Sequence, residues 1–337
     1  MPSTASFPTL PSRIQAMNAA LPQTGATLMP SPQHDGQMQH TLRQPIRSVG
    51  TGLHTGACIE LRLSPAPENT GIVFRRTDMV LPPITARYDA VVDTRLSTVL
   101  GHGTNPPQAE RIATVEHLMA ALSGCGIDNV FIDVNGPEIP VFDGSAAEFV
   151  FLLECAGITQ QAAARRNIYI RQTVRVEDGD AFAELSPTTQ PGLSIDISID
   201  FPAAAIGQQR YGAQVDAALF RRHLCTARTF VLQSEIDHLH SVGLARGGSL
   251  DNAIVVNGDN VLNPAGLRHA DEFVRHKVLD AIGDLYLAGG MIHGHFRGHK
   301  SGHTLNNRLL RKLFANQENW RTTRPGTRTR LPQIKAA

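Results

Sequence analysis

At 337 residues the chain is about twice the size of an ordinary domain, and 42% apolar against 18% charged residues is a composition that folds. Thirty-one basic against thirty acidic residues leave a net charge of +1, which supplies no field for gripping nucleic acid or an anionic membrane. No run of 18 apolar residues and no basic-then-apolar leader occurs, so a cytoplasmic protein without stable membrane insertion is expected. The four cysteines (Cys58, Cys125, Cys155 and Cys225) stand singly, which argues against thiolate zinc and against a disulfide framework.

Residues 1–40 hold six prolines and two charges, Arg13 and Asp35, without helical or strand period, and are expected to be a disordered extension. From Thr41 short strand-like runs follow, Cys58 to Leu63, Gly71 to Arg75 and Ser97 to Leu100, separated by Gly/Pro turns. Thr114 is expected to cap a helix with the apolar stripe Val115, Leu118, Met119 and Leu122. A strand at Asn129 to Val134 comes next. Then Ser145 and Glu148 have the spacing of a capping box for a helix carrying Phe149, Leu152 and Leu153.

Beyond Gly157 the order restarts, with strands at Ile168 to Val176, Ala181 to Leu185 and the alternating Leu193, Ile195, Ile197, Ile199, Phe201. An irregular stretch, Gly207 to Asn263, precedes a helix at Asp271 to Leu287, a strand at Met291 to Arg297 and a helix from His303 to about Ala315. The pattern of elements is duplicated although the letters are not. The expected fold class is α+β, with two similar domains, each a strand-rich layer with two helices, packed helix to helix as a sandwich. Their expected bounds are 41–160 and 161–316, with a basic tail at 317–337 carrying Arg324, Arg328 and Arg330.

The helix around residue 280 concentrates the chemistry. At about 100° per residue, His276, Lys277, Asp280 and Asp284 fall within an arc of roughly 100°, opposite the stripe of Val274, Val278, Ile282 and Leu285. A solvated face of ion pairs would explain charges alone. His276 and Asp280 at i and i+4, however, are two metal-capable side chains aimed at one point. The first-domain helix offers Glu116 and His117. Adjacent helical residues diverge by about 100°, so if His117 binds a metal, Glu116 reaches past it toward a water there, as a base does. Three N/O ligands and an open position are what catalytic zinc requires.

His293, His295, His299 and His303 form a denser histidine cluster, but His299 falls in a Gly-rich loop and His303 opens the next helix. Only His303 is expected to act. A bland surface position is expected for the other three.

The strings TGLHTG (51–56), TVEHLMAAL (114–122), GIDNV (126–130), PEIPVFDGSAAEF (137–149), RTF (228–230), DEFVRHKVLDAIGD (271–284) and KSGHTLNN (300–307) carry a resemblance. The chain resembles the UDP-3-O-acyl-N-acetylglucosamine deacetylases, bacterial zinc enzymes of lipid A biosynthesis, in order from about Thr41 to Ala315. The resemblance implies one catalytic zinc per chain held by His117, His276 and Asp280, with Glu116 as general base. It further implies His303 as cation or general acid, Asp284 orienting it, Thr229 stabilising the oxyanion and Lys277 near the substrate's phosphates. Phe230 and His54 match positions that line the site. An insert near 230–256, with Val231, Leu232, Ile236, Leu239, Val242 and Leu244, would line a passage for the substrate's acyl chain, its alternative being a small satellite core. Iron(II) also accepts two histidines and an aspartate. The expected partner is a UDP-linked acylated glucosamine and not nucleic acid, and the expected state is a monomer. The competing reading is a non-catalytic binding module whose helix face is an ion-pair network and whose arginine tail grips RNA or a membrane.

Overall fold

In chain order the first half runs β1 (Met38–Leu42), β2 (Ile46–Thr51), β3 (Cys58–Pro65), β4 (Ile72–Arg76), β5 (Ile84–Thr85), β6 (Val91–Asp93), β7 (Val99–Leu100), α1 (Glu116–Cys125), β8 (Val130–Val134) and α2 (Ala147–Ala156). These elements belong to a computed structural model that describes residues 37–322. The bulk of the proline-rich extension and the arginines at 324, 328 and 330 therefore lie outside the described residues. β1 begins inside the expected extension, and Gln39 on it is buried.

A five-stranded sheet of order β2-β3-β8-β4-β5 forms the first layer. β4 and β8 are parallel neighbours, so the chain must cross over between them, and α1 is the crossover helix. Its apolar residues Leu118, Met119 and Leu122, and Val115 just before it, are fully buried. The helix starts at Glu116 without a side-chain cap, contrary to the role expected of Thr114. Thr114 sits in the left-handed region, at φ 58°, and its buried hydroxyl finds no partner. At α2 the expected capping box is absent. The Ser145 hydroxyl accepts from the Ala147 amide and donates to Asp143, while Glu148 does not reach back to close the box.

The second half runs β9 (Ile158–Ala164), β10 (Asn167–Ile170), β11 (Val174–Asp178), β12 (Ala181–Ser186), β13 (Leu193–Asp200), β14 (Gln208–Val215), α3 (Ala217–Leu219), β15 (Phe230–Leu232), α4 (Gln233–Ser241), β16 (Ile254–Asn257), β17 (Asn260–Val261), α5 (Glu272–Tyr286), β18 (Met291–His299), α6 (His303–Ala315) and β19 (Trp320–Thr322). The single strand expected over Ile168 to Val176 is broken into β10 and β11. The expected irregular stretch, Gly207 to Asn263, holds β14, a π-turn at Phe220–Leu224 and the small β15-α4-β16 unit. The expected domain boundary at residue 160 falls inside β9, which pairs with β1.

β18 is the central strand of the seven-stranded second sheet, antiparallel to β12 and parallel to β13 and β10. Parallel β13 and β18 again need a crossover, and α5 provides it, so the unit β4-α1-β8-α2 is repeated as β13-α5-β18-α6. The isoleucines of β13 point inward at period two, and α6 lays Leu305, Leu309, Leu310 and Leu313 against the sheet. The architecture is mixed α+β with helices between strand-rich sheets. α1 packs against α5 at Gly283, where a Cβ would collide with the carbonyl oxygen of Glu116. A glycine there lets the two crossover helices approach backbone to backbone, which sets Glu116 and His117 beside the middle of α5. Among the described residues no helix is long and apolar enough to cross a membrane.

Candidate metal and acid–base site

His276 and Asp280 lie one turn apart on α5, and His117 comes from the first turn of α1. Among the described residues these three form one group whose ligand-capable atoms all lie within 4.8 Å of one another. His117 Nε2 is 3.6 Å and His276 Nε2 3.3 Å from Asp280 Oδ1. The other ring nitrogen of His276 donates to the Ala227 carbonyl at 3.0 Å, which leaves Nε2 with a free lone pair facing the group. Asp280 Oδ1 is buried and has no hydrogen-bond partner. A buried carboxylate oxygen left unpaired between two imidazoles is costly unless a cation completes it, so the residues present fit a metal ion.

The polar face of α5 is not solvated. His276, Asp280 and Asp284 are buried because α1 and the chain leading into β15 cover that side of the helix. Burial lowers His276 to about 4, with the neighbouring His117 adding to the effect, so its imidazole is neutral. Burial works against the Asp280 carboxylate as well, but the Lys277 ammonium bonded to it outweighs that and holds the group well below the usual range.

A carboxylate–imidazole pair adjoins this group. His303, the first residue of α6, donates from Nδ1 to Asp284 Oδ2 at 2.9 Å and turns Nε2 toward Glu116 Oε1, 3.7 Å away. Burial disfavours the imidazolium, yet the Asp284 and Glu116 carboxylates prevail and raise His303 to about 9. Glu116 moves up chiefly through burial, against the pull of His303 and His117. A carboxylate that readily takes a proton thus faces an imidazolium that can give one.

Lys277 donates to Asp280 Oδ2 at 3.0 Å, and its ammonium lies 5.6 Å from the centre of the Phe230 ring. Phe230 in turn stands edge-on to His276, with centroids 6.3 Å apart. The structure therefore brings both to the metal-capable group. Thr229 precedes Phe230 and is held by its backbone, which donates to Gly144 and accepts from Ile254; its hydroxyl makes no hydrogen bond among the described residues. His54 lies on the loop between β2 and β3 with both ring nitrogens buried and unpartnered. Glu138 accepts from the backbone amides of His54 and Thr55 and from the Thr55 hydroxyl, fixing that loop. No hydrogen bond or ring contact joins His54 to the metal-capable group.

Two further residues bind these carboxylates, and only Thr98 carries no sequence signal that singles it out. Thr98 donates to both Glu116 and Asp284, and Asn306 donates to Asp284 Oδ2 at 2.9 Å. Asn306 stands three residues after His303 on α6, a spacing that puts both on one face, so it was within reach of a pattern argument.

The remaining histidines of the cluster go elsewhere. His295 and His299 pair with Ser194 and Ser198 on β13. His293 corrects the surface expectation, since it is buried, accepts from the Gly192 amide, contacts Asn167 and stacks on Tyr169 at 4.4 Å.

Two imidazoles and one carboxylate, beside a buried carboxylate–imidazolium pair, are the donor set of a metal-dependent hydrolase. Residues 39–315 match the family model described as UDP-3-O-acyl N-acetylglycosamine deacetylase, and the chain belongs to that family. It is 50% identical over 297 residues to the UDP-3-O-acyl-N-acetylglucosamine deacetylase of Mannheimia succiniciproducens, covering 88% of this chain and 96% of that protein. It is 52% identical over 286 residues to the enzyme of the same name from Pasteurella multocida, covering 84% and 92%.

Proposed function

We propose that the chain hydrolyses the N-acetyl amide of a UDP-linked 3-O-acyl-N-acetylglucosamine, releasing acetate and a free amine, as a step of lipid A biosynthesis. The observation that carries the chemistry is the unpaired, buried Asp280 Oδ1 between two histidines, next to the Glu116–His303 pair. His117, His276 and Asp280 would hold zinc, with iron(II) as the alternative occupant. When bound, zinc supplies Lewis-acid polarisation of the carbonyl and acidifies a water in its open position.

The chain's own residues then move the protons. Glu116 takes one from the water as its oxygen adds to the carbonyl carbon, and its raised affinity for a proton suits that task. His303, cationic up to about pH 9, faces the developing negative charge and gives its Nε2 proton to the departing nitrogen as the C–N bond breaks. Asp284 holds the ring so that Nε2 and not Nδ1 faces the reacting atoms. The Thr229 hydroxyl, without an internal partner, is a further donor for the oxyanion.

Acetyl is too small to carry recognition, so positioning energy comes from the rest of the substrate. Lys277 suits the diphosphate, and Phe230 and His54 suit the walls. On β15 and α4, Val231, Leu232, Ile236 and Leu239 are half-buried, and Val242 just beyond is 55% exposed; none is sealed into a core, which favours an open apolar passage for an acyl chain. Action in the cytoplasm belongs to the same reading and rests on a nucleotide-linked substrate, and a monomer is proposed with it. The test is metal content and acetate release measured together on dialysed protein. About one zinc per chain and deacetylation lost with the metal are expected; an active metal-free protein would overturn the reading.

A further inference from the structure

Glu116, Asp284 and His303 come from three separate helices, yet acid and base must be held in register to a fraction of an ångström. Helix packing places the backbones. The last adjustment lies with whatever touches the two carboxylates.

Thr98 touches both. It precedes β7, is 1% exposed, and its carbonyl accepts from the Val115 amide at 3.3 Å, which ties it to the start of α1. Its own amide donates to Glu116 Oε2 at 3.0 Å, and its hydroxyl donates to Asp284 Oδ1 at 2.5 Å. The opposite oxygen of each carboxylate faces His303, Glu116 Oε1 at 3.7 Å from Nε2 and Asp284 Oδ2 at 2.9 Å from Nδ1. Thr98 and His303 thus sit on opposite sides of the same two carboxylates, and the four groups close a ring.

We infer that Thr98 is a positioning residue for the hydrolysis: its hydroxyl fixes the plane of the Asp284 carboxylate, and through it the aim of His303, while its amide fixes Glu116. The chemistry favours this over plain packing. Valine has nearly the same shape and would fill the same space before β7, so the site has no packing need for a hydroxyl. A hydroxyl aimed at an ionised carboxylate makes a charge-assisted bond, and β-branching restricts it to few rotamers. Without that donor, Asp284 Oδ1 is buried and unpaired, and the carboxylate can rotate away from His303.

This inference rests on the functional reading above, and the two are separable: wild-type deacetylation tests the reading, and ratios among variants test Thr98. Thr98→Val removes the hydroxyl but keeps the amide bond to Glu116. It should retain metal and KM while kcat falls by roughly 10- to 100-fold. Thr98→Ser, which keeps both donors, should stay within about threefold of wild type. Ser and Ala at this position both lack the methyl and differ only in the hydroxyl, so their kcat ratio reads the hydrogen bond even if the valine variant folds poorly. In an Asp284→Asn background, Thr98→Val should cost little more, because it acts through the group already lost. Equal kcat for the Ser and Ala variants, or full additivity with Asp284→Asn, would overturn the assignment.

Discussion

The strand β18 and the crossing of α1 with α5 both gather histidines, and they use them in opposite ways. Along β18 each ring has a partner among its neighbours: both nitrogens of His293 through Gly192 and Asn167, Nδ1 of His295 through Ser194, and Nδ1 of His299 through Ser198. At the helix crossing, His276 spends one nitrogen on Ala227 and aims the other at a carboxylate oxygen that has no partner. Density of donors is therefore a poor guide to a metal site. What marks one is a buried donor set that the protein leaves incomplete.

The largest effect is expected at the proposed metal ligands. His276→Ala should lose bound metal and, with it, several kcal/mol of transition-state stabilisation, roughly 10⁴-fold or more in kcat; metal analysis and acetate release measured on one preparation check this. Glu116→Ala should keep the metal and lose roughly 10²- to 10⁴-fold, the usual worth of a general base. A metal-free Glu116 variant would move that residue from base to ligand.

His303 sharpens the contrast within the cluster itself. Its proton affinity is raised above the ordinary histidine value, so the imidazolium is present below about pH 9 and is lost as pH rises through that point. Deacetylation should fall on that basic limb, and His303→Gln should lower kcat by about 10²-fold and flatten the limb while metal stays bound. An unchanged profile would assign the proton transfer elsewhere. The smallest effect on turnover belongs to the combined glutamine variant at 293, 295 and 299, with kcat and metal near wild type. Its cost should instead be stability, about 1–3 kcal/mol, from the buried bonds of His293, readable as a lower denaturation midpoint.

The parts legible in the sequence were those whose periodicity and burial agree. Alternating isoleucines place β13 from Leu193, ending one residue short of the expected Phe201, and α6 begins at His303 as its motif suggests. The i, i+4 pair on α5 and the Glu116–His117 dipeptide come together as spacing allows. β14 escaped because no residue on it is fully buried, so it carries no apolar period, and β2 is similarly open. The buried state of α5's polar face was not readable either, since it depends on α1 and Ala227 arriving from distant sequence. Thr98 is the extreme case: its role lies in two contacts, 18 and 186 residues away, that no local pattern encodes.

The proposed metal site is the open donor set at the helix crossing and not the dense histidines of β18. Zinc stoichiometry after exhaustive dialysis tests it directly, with Asp280→Ala compared against the combined 293, 295 and 299 glutamine variant. The expected result is no retained zinc in the first and about one per chain in the second. Zinc kept by Asp280→Ala and lost from the glutamine variant would contradict it.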